Sequence, residues 1–398
     1  MPDTFPFAWL VLCVGGAGLL ALLANRLTVR VPVPAPLLVL AGAAVAENAI
    51  PALSPPPERI VERLVTVALI CVLFDGGLKM GWRRFRSAAV PITVVGIAGT
   101  FLTAAAAAVF VHLVAGISWY LALLVATAIA PTDPAVVFSV LGQREIEGRS
   151  GALLEGESGA NDPVGIALMA SLVTAGGLSA GAVGHVAWEF AVQLVVGAAT
   201  GVVGGRLALW FMRKLTLPSR ALHPLRTLAW ALVLFATATL AHGSGFLAVF
   251  VAGIVIGDEP APFKREVERF HAALASLGEI AAFVVLGLTI DLSELTHADV
   301  WIPGLLLGVA VAAVIRPVLV GLCLIPVRLR RNERVFVLFA GLKGAVPILL
   351  GGYILTAGVH DAERLHGIVV VVVVFSVLVQ GSLVPFMIDR LRLPTRPT

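Results

Sequence analysis

The stretch "EGESGANDPVG", residues 155 to 165, sets Glu155, Glu157, Asn161 and Asp162 within eight positions and runs straight into the apolar "IALMASLVTA". It does so in a chain of 398 residues of which 59% are hydrophobic and only 13% charged, with a mean hydropathy of +0.99. Together with 40 glycines, this composition exceeds what a soluble core of such length needs. A helix takes about 20 apolar residues to cross roughly 30 Å of hydrocarbon, so the chain supplies about a dozen spans with short connections. The expectation is an all-α, polytopic membrane protein forming one domain over 1–398, with its core at about 6–390 and no soluble regulatory domain. Cys13, Cys71 and Cys323 are scattered without metal-ligand spacing and read as packing residues.

Around the opening stretch the apolar runs number thirteen, at roughly 6–25, 32–49, 60–78, 88–115, 118–141, 150–175, 184–212, 225–242, 245–257, 273–291, 299–326, 334–357 and 365–388. With the N-terminus outside, the inward connections hold Arg26 and Arg30; Lys79, Arg83, Arg84 and Arg86; Arg144 and Arg149; Arg213, Lys214, Arg220 and Arg226; Lys264, Arg265 and Arg269; Arg328, Arg330, Arg331 and Arg334; and Arg390, Arg392 and Arg396. These are 22 of the 28 basic residues, against Arg59, Arg63 and Arg364 outside. The positive-inside rule therefore places the N-terminus out and the C-terminus in, in the cytoplasmic membrane. The calculated pI of 9.3 reports that orientation and not nucleic acid. The first run has no basic residue before it and ends in Arg26, which reads as a retained helix and not a cleaved signal. In "PFKREVERFHAALAS", Phe263, Val267, Phe270 and Leu274 form one stripe, which suits a helix lying on the membrane surface; a charged loop is the alternative. His223, His271, His297, His360 and His366 fall in or beside connections and are expected to be solvated.

Few ionisable residues remain at depth: Asp133, Glu155, Glu157, Asp162, Arg206, Arg316 and Lys343, with Asp75, Glu189 and Glu279 nearer helix ends. A charge in the bilayer costs at least about 3 kcal/mol on insertion scales, so these face partners or an aqueous cavity. Two of them sit where a helix cannot continue. In "ATAIAPTDPAVVF", Pro131 and Pro134 flank Thr132 and Asp133; in "FAGLKGAVPILLGG", Gly341, Gly344 and Pro347 surround Lys343. The first break lies in an inward run and the second in an outward run, each the middle of a three-helix group. That is the pattern of inverted-topology repeats with two broken, crossing helices, whose ends meet near the midplane of a secondary transporter. Asp133 then faces the partly positive helix N-termini and Lys343 the partly negative C-termini.

In the sixth run, Ser158 and Asp162 share one helical stripe, and Glu157 and Asn161 another. A carboxylate taken out of water holds a proton more tightly, so proton and alkali cation compete for the oxygens of Asp162. One site that holds either ion, never both, is an exchanger.

The set "PTDP" at 131–134, "GESGANDP" at 156–163, Arg316 in "AVIRPVLV" and "GLKGAVP" at 341–347 resembles the NhaP-type monovalent cation:proton antiporters, a family that includes animal sodium/proton exchangers. The resemblance covers nearly the whole chain. It implies a membrane transporter domain, neither an enzyme nor a cofactor-binding protein, that works as a homodimer in the lipid bilayer. It makes Asp162 the carboxylate that carries the ion, with Asp133 beside it, Asn161 a neutral neighbour, and Thr132, Asp133 and Ser158 the surrounding site; the only metal is the transported Na+ or K+. Glu157 is implied in a structural ion bridge, to Arg316 or, failing that, to Lys343. "ESGANDP" with "LFDGGL" at 73–78 is closest to bacterial potassium/proton antiporters of the cell-volume-regulation type. Two features depart from that group: those proteins usually carry a cytoplasmic domain after the membrane part, and Lys343 stands where the family more often has Arg.

Two other classes share parts of this pattern. "GESG" at 156–159 has the Gly-x-Ser-Gly pattern of intramembrane serine proteases, with His112, His185 and His242 in or near apolar runs. Such a protease has no use for Asp162, Asp133, Arg316 and two broken helices. A passive cation channel also lines its path with buried acids, and only coupled flux separates it from an exchanger.

Overall fold

Long apolar runs without solvent partners close their backbone hydrogen bonds internally, and the chain is accordingly built of helices. A computed structural model describes residues 15–16, 18–20, 22–23, 34–49, 56–133, 136–137, 144–146, 149–215 and 217–397. The first apolar run and Pro134 thus lie largely or wholly outside the described residues. The helices are α1 (Ala35–Ala49), α2 (Glu58–Thr93), α3 (Thr100–Ala115), α4 (Trp119–Ile129), α5 (Arg149–Ala175), α6 (Ala180–Lys214), α7 (Leu222–Leu240), α8 (Gly245–Gly257) and α9 (Lys264–Gly287). They continue as α10 (Ala298–Ala310), α11 (Arg316–Cys323), α12 (Arg331–Phe339), α13 (Ala345–Thr356), α14 (Ala362–Phe375) and α15 (Ser382–Leu391). Short π-helical segments at Val94–Gly99, Val311–Ile315 and Ser376–Gly381 join α2 to α3, α10 to α11 and α14 to α15. The fold is an all-α polytopic membrane fold. Among the described residues one small antiparallel pairing, Arg144–Ile146 with Thr395–Pro397, ties the connection before α5 to the C-terminal segment.

Two packing groups hold these helices. In one, α2 packs against α8 and α9, and α8 against α6. Glycine sets the approach of α2 to α8: a Cβ on Gly253 would lie 2.9 Å from the Gly77 Cα, and one on Gly257 would lie 2.7 Å from the Gly81 Cα. Small residues at such a seam let two backbones touch, which is how helices associate where there is no hydrophobic drive between them. In the other group, α3 packs on α4, α10 on α14, and α13 on α14. Helix α5 touches members of both and is buried along most of its length.

Three sequence readings change in the folded chain. The basic connection between the third and fourth runs is not a separate loop: the chain turns at Gly81, with φ 61° and ψ 167°, and resumes helix at once. The Asp258 carboxylate makes that possible by accepting from the Arg83 backbone N–H at 2.5 Å, supplying an acceptor for a helix start. Next, "PFKREVERFHAALAS" is neither a surface helix nor a loop but the beginning of α9, with Val267 fully buried. Its Lys264 donates to the backbone carbonyls of Ile256, Gly257 and Glu259, closing the C-terminus of α8. Finally, His223, His271 and His366 are buried instead of solvated. His271 bonds Thr227 Oγ1 at 2.8 Å and meets the Phe74 ring edge-on, so local polarity in sequence did not reveal its packing.

Candidate functional site

Helix α4 stops at Ile129 and α12 at Phe339, and the unwound residues that follow cross each other. The Asp133 backbone N–H donates to the Leu342 carbonyl at 2.8 Å, so the two breaks are joined directly. Lys343 Nζ donates to the carbonyls of Ala130 and Pro131 at 3.1 and 3.0 Å. These oxygens lie at the end of α4, where helix carbonyls lack intrahelical donors and carry partial negative charge. Across the crossing, Asp133 lies against Gly344, the residue before α13; a Cβ on Gly344 would strike the Asp133 carboxylate. Acid therefore meets a helix start and base a helix end, and each break satisfies the other's backbone.

Helix α5 passes beside this crossing and delivers the opening stretch to it. Asn161 Nδ2 donates to Thr132 Oγ1 at 2.8 Å, while the Thr132 backbone N–H donates to Asn161 Oδ1 at 3.3 Å. This reciprocal pair clamps the amide in one orientation. One helical position on, Asp162 is 7% exposed. Its Oδ2 has a long contact of 3.5 Å from Ser158 Oγ, and its Oδ1 has no hydrogen-bond partner among the described residues. Asp133 and Lys343 are both near enough for their charges to act on Asp162. A buried carboxylate with an uncommitted oxygen is a high-energy arrangement unless a proton or cation attends it.

One turn before Asn161, on the same stripe, Glu157 meets Arg316 in a two-pronged ion pair, with Nη1 to Oε1 at 2.7 Å and Nη2 to Oε2 at 3.1 Å. Both side chains are almost wholly buried. Arg316 also donates from Nε to Leu338 O and from Nη2 to Val337 O, at 3.2 Å each. These carbonyls belong to the last turn of α12, so the guanidinium ties α5, α11 and the broken helix together. Gly341 leaves it the space, since a Cβ there would overlap the guanidinium.

The remaining acids of the sequence reading lie apart from the crossing. Glu155 pairs with Arg84 at 3.1 Å, and Asp75 with Lys79 at 2.6 Å. Glu189 pairs with His185 at 3.1 Å near the start of α6. Glu279 of α9 is different, because it lies within electrostatic reach of Asp133. Two further residues escaped sequence reasoning. Ser376 Oγ accepts the Lys343 backbone N–H at 3.0 Å and donates to Gln380 Oε1 at 2.7 Å; Gln380 Nε2 reaches Phe339 O at 3.4 Å. They hold the second break from behind, and their signal was two uncharged polar residues four apart in an otherwise apolar run.

The fold and the crossing define a polytopic membrane protein with two interrupted helices around a buried carboxylate. Residues 12–390 match the family described as sodium/hydrogen exchanger, transmembrane, and the chain belongs to that family. It is 32% identical over 374 residues to the K(+)/H(+) antiporter NhaP of Alkalimonas amylolytica, covering 93% of this chain and 65% of that protein. The K(+)/H(+) antiporter NhaP2 of Shewanella oneidensis is 32% identical over 79% of this chain and 55% of its own length. The chain thus spans a little over half to about two thirds of these relatives. The low-affinity Na(+)/H(+) antiporter NhaS1 of Synechocystis is 26% identical over 90% of this chain. In fold it is similar to the sodium proton antiporter MjNhaP1 from Methanocaldococcus jannaschii at pH 8, with a TM-score of 0.77 at 21% identity, covering 94% of this chain and 99% of that one.

Proposed function

We propose that this protein exchanges a monovalent cation, Na+ or K+, for H+ by alternating access, with Asp162 holding either ion in turn. The observation that carries the reading is the Asp162 carboxylate, buried at the helix crossing with one oxygen uncommitted among the described residues. Asp133, Thr132, Asn161 and Ser158 supply the neighbouring polar groups. Oxygen-rich surroundings suit a hard alkali cation.

The charges at the crossing support a one-for-one stoichiometry. Glu157 and Arg316 cancel within their own ion pair. With Glu279 taken as neutral, Asp133 and Asp162 against Lys343 leave one negative charge at the crossing, which one H+ or one alkali cation neutralises. Asn161, an amide, adds no second exchangeable proton. Exchange is therefore one for one and electroneutral. The loaded site is neutral in both ion forms, which favours its reorientation across a low-dielectric barrier, while the empty, charged form is held back. The unequal distribution of basic residues supports a cell-membrane protein with its N-terminus outside and its C-terminus in the cytoplasm. The family resemblance supports a homodimer whose protomers each form one membrane transporter domain.

The test is a pH dye sealed inside proteoliposomes that hold a proton gradient. Addition of Na+ or K+ should dissipate the gradient in a saturable way, and a series of Li+, Na+, K+ and Rb+ ranks the cations. Proton flux that no cation alters, or cation flux without proton movement, would overturn exchange.

A further inference from the structure

Arg206 has no role in the crossing. It is exposed on α6, two turns before that helix ends at Lys214, and has no ion-pair or hydrogen-bond partner among the described residues. A guanidinium at that depth requires an anion or a path to the headgroups. Positions 206, 210, 213 and 214 fall at helical spacing on one face. Arg206, Trp210, Arg213 and Lys214 accordingly line one pocket of about 460 Å³, whose other wall is formed by Trp82 of α2 and Glu259 after α8. Valines and Leu209 complete its apolar floor.

Charge within the pocket is unbalanced. Glu259 is taken by Arg213, which binds it at 2.5 Å and also reaches Pro260 O at 3.1 Å. That leaves Arg206 and Lys214 as two cations without a protein counter-charge among the described residues. Trp82 and Trp210 are each about half exposed, at 51% and 55%. Tryptophan concentrates at the level of lipid headgroups, and basic pockets between helices at that level take anionic headgroups. The turn at Gly81 puts Trp82 there, so the pocket depends on the same backbone reversal that Asp258 holds.

We propose that this pocket binds the phosphodiester headgroup of an anionic phospholipid in the leaflet beside the basic connections, with Arg206 rising from below and Lys214 closing from above. The apolar floor receives the start of an acyl chain, which a free phosphate lacks. No residue of the ion site lines this pocket.

Native mass spectrometry of the full chain tests it. The protein is released from detergent after titration with phosphatidylglycerol, with phosphatidylcholine of the same acyl chains, or with inorganic phosphate. One phosphatidylglycerol should be retained in preference to phosphatidylcholine, and excess phosphate should not displace it. Arg206→Gln should weaken that retention roughly tenfold, as expected for one charge-assisted headgroup contact. Trp210→Phe should weaken it less, and Arg86→Gln, outside the pocket, should leave it unchanged; the melting temperature of each variant in lipid-free detergent reports whether it is folded. Equal retention of the two lipids, displacement by inorganic phosphate, or unchanged binding in a folded Arg206→Gln variant would overturn the proposal. So would an Arg206→Gln effect confined to the dimer peak, which would make the pocket a contact with a second copy.

Discussion

Glu157 and Arg316 offer a double-mutant cycle whose two arms should differ. Glu157→Gln removes the charge but leaves Arg316 its two carbonyl acceptors, Val337 and Leu338, and an amide oxygen in place of the carboxylate. Breaking a buried pair from one side costs about 3 to 5 kcal/mol, and the retained bonds put this variant near 3 kcal/mol. Arg316→Met strands the Glu157 carboxylate, 2% exposed, and also frees two carbonyls at the end of α12, each unsatisfied group adding about 1 to 3 kcal/mol. It should cost about 5 kcal/mol or more. The double variant no longer buries an unpaired charge, so its loss should fall about 2 kcal/mol short of the sum of the two. Thermal unfolding of all four proteins in one detergent, followed by tryptophan fluorescence, measures the ranking and the coupling. Additive losses, or a larger loss for Glu157→Gln than for Arg316→Met, would refute a structural pair anchored on the broken helix.

Gly344→Ala should abolish or greatly slow cation-driven proton flux in proteoliposomes, because the new methyl occupies the place of the Asp133 carboxylate; a variant with normal flux would show that Asp133 need not stay there. Ser376→Ala removes the acceptor of the Lys343 backbone N–H and should cost about 1 to 2 kcal/mol in thermal stability, with a smaller loss of transport than Gly344→Ala. One-for-one exchange predicts that an imposed voltage leaves the flux reversal point unmoved, since one net charge across 100 mV is worth about 2.3 kcal/mol and would shift the equilibrium gradient more than tenfold. A reversal point that moves with voltage would assign a second proton to another carboxylate, and Glu279→Gln, chosen for its closeness to Asp133, would then restore independence from voltage.

The sequence carried the parts of the site that depend on local rules. Proline and glycine mark the breaks at 131–134 and 341–347 because each removes a backbone bond or a Cβ, and helical spacing alone put Ser158 with Asp162 and Glu157 with Asn161. What it could not carry depends on distant partners. The reversal at Gly81 needs the Asp258 carboxylate, which stands 175 residues from the Arg83 N–H it accepts, and the opening turns of α9 look like a surface helix until Lys264 is seen closing α8. Partner choice was also illegible: Glu157 had two basic candidates, and the two-pronged contact at 2.7 and 3.1 Å is with Arg316, while Lys343 is committed to the carbonyls of α4. Ser376 and Gln380 do not stand out in sequence, because uncharged polar residues in an apolar run carry no cost that singles them out until their bonds are known.

The most direct test of the shared-site proposal is Asp162→Asn, which keeps shape and the Ser158 contact but removes both the exchangeable proton and the anionic ligand. Reconstituted beside the unaltered protein, with equal insertion and a melting temperature no lower, it should give no cation-driven proton flux above empty vesicles for Li+, Na+, K+ or Rb+. Saturable exchange by this variant, with any of the four ions, would contradict a single carboxylate shared by proton and cation.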